Sequence, residues 1–68
     1  MPYSTNEALP ASVRRNLPPH AQDVFRETFN AALERYRDDA TAFRVAWAAV
    51  KRTYEKVDGA WVRRADRA

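Results

Sequence analysis

Few residues in this chain have the type and spacing for chemistry. His20 is the only histidine, and there is no cysteine. A metal site built without cysteine needs a cluster of histidines and carboxylates, and the spacing offers none. His20 follows Pro18-Pro19 in a helix's first turn, where a local hydrogen bond to that corner is expected; a positive charge there opposes the helix dipole. Glu27, Glu34, Asp38 and Asp39 each have basic neighbours on the same helix or a capping position, so no carboxylate pair flanks a cleft as glycosidic hydrolysis requires. Ser4, Ser12 and the threonines lack a base partner, and one glycine cannot build a phosphate-cradling loop. No enzyme activity, cofactor or metal is expected.

The remaining chemistry is charge. Of 12 basic and 9 acidic residues, the first 50 positions hold six of each. Positions 51–68 hold Lys51, Arg52, Lys56, Arg63, Arg64 and Arg67 against Glu55, Asp58 and Asp66, so the whole excess of +3 lies there. That end suits an anionic partner: nucleic acid, anionic lipid or an acidic protein surface. Trp61 beside Arg63 and Arg64 is an aromatic next to two cations, an arrangement that could stack bases. The candidate partner-binding set is Lys51, Arg52, Trp61, Arg63, Arg64 and Arg67. The competing reading is a solvated basic tail with Trp61 closing the core.

These residues must be positioned by a small helical domain. At 68 residues without disulfides, the core has to be efficient, and two Trp, three Phe and three Tyr supply it. The organising stretch is Ala40 to Val57. Phe43, Trp47, Val50, Tyr54 and Val57 recur at steps of three and four and define one helical face. Val45, Ala46 and Ala49 add a flank of small side chains. A recognition helix for DNA needs polar side chains facing base edges, so this apolar helix is not read as one. Its longest apolar run, Val45 to Val50, is too short to span a bilayer, which takes roughly 20 residues. With no transmembrane segment or leader in view, a cytoplasmic protein is expected.

A first short helix is predicted from Leu9 to Leu17, with Leu9, Val13 and Leu17 as its stripe. Pro18 ends it, and Pro19 opens a second helix running to about Asp38. Its stripe is Ala21, Val24, Phe25, Phe29, Ala32, Leu33 and Tyr36. Surface pairs Glu34–Arg37 and Arg35–Asp39 are expected on it, each contributing only about 0.2–0.5 kcal/mol. Asp39 is the favoured N-cap of the third helix, with Thr41 second. Asp58-Gly59 marks a turn. Ala60 to Arg63 reads as extended and is expected to pair with Pro2 to Thr5, joining the chain ends in a two-stranded patch. The predicted core is Leu9, Val13, Leu17, Val24, Phe25, Phe29, Leu33, Tyr36, Phe43, Ala46, Trp47, Val50, Tyr54 and Trp61. One domain over 1–64 with a frayed tail at 65–68 follows.

The landmarks MPY at the start, Leu9-Pro10, LPPHAQDVF at Leu17 to Phe25, FNAA at Phe29 to Ala32, VAWAAVK at Val45 to Lys51, Tyr54 and Gly59-Ala60-Trp61 resemble the ChaB family from Met1 to about Arg64. The resemblance implies a mainly α, compact three-helix fold, similar to a cyclin box, with a small β patch. It also implies a non-enzymatic regulator of a cation/proton antiporter, contacting its cytoplasmic face from the cytoplasm or from the periphery of the inner membrane. His20, Gln22, Phe29, Asn30, Trp47, Lys51 and Trp61 sit on matching positions, and the family gives them no established catalytic role. Two departures bear on any regulatory contact: the link between the second and third helices is short, at about Arg37 to Thr41, and this chain is basic. The residues alone leave a nucleic-acid-binding module as the alternative, with attachment to anionic lipid as a third reading.

Overall fold

Proline and capping residues punctuate the helices much as their chemistry demands. The computed structural model describes residues 2–66. A 3-10 turn at Asn6–Ala8 leads into α1 (Ala11–Asn16), α2 (Pro19–Tyr36) and α3 (Asp39–Thr53), followed by strands β1 (Tyr54–Val57) and β2 (Ala60–Arg63) and a 3-10 turn at Arg64–Asp66. Pro19 takes the first position of α2, where its missing N–H is no loss. Gln22 reaches back across the Pro18-Pro19 corner and donates to the carbonyls of Leu17 at 2.8 Å and Arg14 at 3.2 Å, satisfying the open end of α1.

α2 ends with Arg37 in the left-handed region (φ 58°), its N–H bonded to the Leu33 carbonyl. The cap of α3 is Asp38 rather than the expected Asp39: its carboxylate accepts from the Thr41 N–H at 3.0 Å and from the Thr41 hydroxyl. With two adjacent aspartates, the one reached three residues back from a free N–H serves. The expected Glu34–Arg37 ion pair is not found among the described residues. Arg37 Nε donates to the Glu34 carbonyl at 3.4 Å, and Arg35 stacks on the Tyr36 ring, 5.5 Å from its centroid.

α2 and α3 pack as the main pair, with α1 and the opening turn closing one side. The core comprises Leu9, Val13, Leu17, Ala21, Phe25, Phe29, Ala32, Ala42, Ala46, Val50 and Tyr54. Phe25 sits at its centre, edge-on to Phe43 (5.2 Å) and Trp47 (5.3 Å). Val24, Leu33, Phe43, Trp47 and Trp61 are half-buried against this cluster. Tyr36, expected inside, is 49% exposed. It is the last residue of α2, where the chain turns away. Ala21, Ala32 and Ala42, absent from the predicted core, let the helix backbones approach.

The β patch forms between other segments than expected. β1 and β2 pair antiparallel with each other, Tyr54 facing Arg63 and Val57 facing Ala60. Among the described residues, Pro2 to Thr5 does not pair with Ala60 to Arg63. Asp58 (φ 52°) and Gly59 (φ 83°) form a two-residue loop with both central residues left-handed, which brings together the strands directly flanking it. The predicted third helix to Val57 therefore stops at Thr53, whose hydroxyl bonds back to the Ala49 and Val50 carbonyls at 3.3 Å; the extended, β-prone Tyr54 follows. The opening segment is held by α2 instead. Asn30 accepts the Tyr3 N–H and donates to the Tyr3 carbonyl, both at 2.8 Å, as a neighbouring strand would. The Tyr3 ring lies 4.9 Å from that of Phe29.

Candidate partner-binding surface

Four of the six residues predicted from the basic end come together at the C-terminus of α3. Lys51 and Arg52 occupy its last turn and are exposed, where positive charge complements the partial negative charge of the helix end. The hairpin folds back so that Arg63 stands opposite Tyr54, one residue past the helix. Arg64 Nε donates to the Lys51 carbonyl at 3.0 Å, capping an otherwise open helix end. Its Nη1 lies 3.9 Å from Glu55 Oε2, a loose pair with half of the Arg64 side chain in solvent that contributes little stability. Lys51 donates from no side-chain atom to any described residue, so its ammonium is available.

Trp61 is placed differently. Its ring packs 5.9 Å from Trp47 and closes the lower edge of the core. Arg67 lies outside the described residues. Lys56, left out of the candidate set, is exposed opposite Trp61 and extends the basic surface along the hairpin. Only the turn signal at Asp58-Gly59 could have pointed to it, by folding position 56 back against 61.

His20 bonds at 2.8 Å to the hydroxyl of Tyr54, not to the Pro-Pro corner. Tyr54 is buried, and a buried phenol needs a partner. Asn6, Asp23 and Arg26 form another internal network: Asn6 Nδ2 donates to Asp23 and Arg26 Nε donates to Asn6 Oδ1, each at 2.7 Å. It ties the opening 3-10 turn to α2. Asp38 has its carboxyl held below the usual aspartate range, first by the Thr41 hydroxyl and then by the Thr41 N–H; both bonds favour the ionised form.

Two shallow concavities exist among the described residues. One, of about 370 Å³, is lined by Pro2, Asn30, Leu33, Glu34 and Arg37. The other, of about 200 Å³, lies between α2 and α3 and is lined by Thr28, Ala31, Ala32, Arg35, Tyr36 and Val45. Neither sets a nucleophile beside a base. Among the described residues, no group of three or more histidines and carboxylates is placed to hold a metal ion, and no helix is long and apolar enough to cross a membrane.

The ChaB family model matches residues 9–64. A protein of Escherichia coli K12 named "Putative cation transport regulator ChaB" is 52% identical over 68 residues, covering 85% of this chain and 90% of its own length. A protein of the same name from Shigella flexneri matches to the same extent. Among solved structures, the NMR solution structure of a protein bearing that name superposes with a TM-score of 0.80 at 47% identity, over 93% of this chain and 99% of that one.

Proposed function

Because the chain belongs to the ChaB family, we propose that it is a non-enzymatic regulator of a cation transport system, specifically a cation/proton antiporter, and that it works by protein–protein contact. The observation that carries this reading is the 52% identity, across most of both chains, to proteins named for cation transport regulation. The contact is assigned to the basic end: Lys51, Arg52, Arg63 and Arg64 are exposed together, with Arg67 as a further contributor from the tail. A protein acting this way works at the cytoplasmic face of the inner membrane without spanning it.

Six of the seven positions matched in the family pattern serve internal bonds or packing. His20 holds Tyr54, Gln22 caps α1, Asn30 holds Tyr3, and Phe29, Trp47 and Trp61 pack rings. Lys51 alone among them is exposed with no side-chain bond to a described residue. The test is co-purification of the tagged chain with the antiporter, together with cation/proton exchange in membrane vesicles from a deletion strain. Retention of the antiporter and altered exchange are expected; absence of both overturns the reading.

The clustering of four cations also favours a second reading, a polyanion-binding module. A gel shift on DNA and RNA should then weaken steeply with salt, because each neutralised phosphate releases counterions. Co-sedimentation with anionic vesicles tests the lipid version.

A further inference from the structure

Among the described residues, one edge of β2 has no main-chain partner. A two-residue loop makes Val57 and Ala60 a pair that exchanges both N–H···O bonds. Bonded and non-bonded pairs alternate from there, so Glu55 and Val62 are bonded, whereas Lys56–Trp61 and Tyr54–Arg63 are not. The polar main-chain groups of non-bonded pairs point away from the partner strand. Tyr54 obeys this, its N–H leaving the hairpin to reach the Val50 carbonyl. On β2 the outward groups are the N–H and C=O of Trp61 and the N–H of Arg63. Among the described residues the sheet has two strands, and none of these three groups is bonded by a described main-chain group of a loop, turn or cap.

We propose that this free edge of β2 docks an extended, acidic segment of a partner protein, which adds to the hairpin as a third strand. The proposal rests on the protein-contact reading above and names the partner's chemistry. Strand addition draws its affinity from main-chain bonds and its selectivity from alternating side chains. The rim here is basic: Arg63 and Arg64 are exposed beside the edge, and Lys56 lies across the hairpin. A second copy of this chain would bring the same cations, and like charge along an edge discourages self-pairing. An acidic strand is attracted by those same groups. Trp61, fixed against Trp47, holds the edge in place before the partner arrives. Residues 61 and 63 share one face and residue 62 the other, so a segment alternating acidic and aliphatic residues sets acids toward Arg63 and aliphatics toward the half-buried Val62.

The experiment measures amide hydrogen exchange by NMR in the whole chain, with an acetylated and amidated octapeptide of alternating Glu and Val. The Trp61 and Arg63 amides should slow selectively. N-methylating the peptide's main-chain amides keeps its charge but should weaken binding roughly tenfold, the equivalent of one or two hydrogen bonds. Absence of binding, equal binding by the methylated peptide, or protection that misses Trp61 and Arg63 would each overturn the proposal. Protection of those amides that grows with protein concentration alone would replace the acidic partner by a second copy. Arg63→Ala retains the N–H and loses the charge, so it should bind more weakly with the same protection pattern. Arg63→Pro removes the donor at a non-bonded position of the pair and should abolish protection at Trp61. If that variant does not fold, the methylated peptide still decides on the native chain. The readout involves no transporter, so failure here leaves the regulator reading standing, and failed co-purification leaves this edge standing.

Discussion

Phe25 has no exposed surface and meets Phe43 and Trp47 edge-on. Phe25→Ala is expected to cost about 3–5 kcal/mol, as much as a core of this size supplies. The variant should show no cooperative thermal transition by near-UV circular dichroism. Tyr36 stands about three helical turns further along the same stripe but is half exposed, so Tyr36→Ala should stay within about 0.5 kcal/mol of the parent in urea denaturation. Helical periodicity registers both residues alike. It carries no information on which positions at a helix end stay covered, which is why the core was legible at Phe25 and misread at Tyr36, the last residue of α2. His20 shows the same limit, because a bond to Tyr54, 34 positions away, leaves no local signal. Asp38 gives the pH dependence. Its carboxylate is favoured in the fold, so its contribution is present above the unfolded pKa and lost as pH falls through the lower folded value. Asp38→Asn can accept the same bonds without titrating. Its melting temperature should therefore fall less steeply than the parent's as pH drops through the aspartate range, measured by parallel melts.

Among the elements, the three helices were readable because prolines, caps and apolar spacing agree. The strand pair was readable only in part. Asp58-Gly59 announced a turn, but a run of apolar residues at helical steps through Tyr54 and Val57 concealed that the chain had already left the helix at Thr53. Closing two adjacent strands through two residues costs little chain entropy compared with joining the ends, so the local pairing forms. Gly59 has open space around its missing Cβ, yet its φ of 83° disfavours any L side chain. Gly59→Ala should cost about 1 kcal/mol, through backbone strain without a clash. Arg37 holds a comparable conformation at the end of α2, with φ 58°. Arg37→Gly should therefore stabilise by about 0.5–1 kcal/mol, the relief of strain exceeding the added freedom of the unfolded chain. Chemical denaturation of the two variants side by side checks both signs.

For the whole molecule, charge asymmetry was visible in the sequence, and its gathering at one end of α3 depended on the hairpin folding back. The exposed cations of that end do not hold the core together, apart from Arg64, which caps Lys51. Lys51→Glu with Arg63→Glu should melt within a few degrees of the parent while losing affinity for acidic partners, as read by a thermal melt and the octapeptide titration together. Tyr54 decides how such a contact is felt elsewhere. It ends α3, begins the hairpin and, through its hydroxyl on His20, is riveted to the start of α2. The hairpin is thus tied to α3 through the chain and to the start of α2 through that hydroxyl. A load applied to it is shared at once by both long helices, and twisting it puts torque on the Pro18-Pro19 corner.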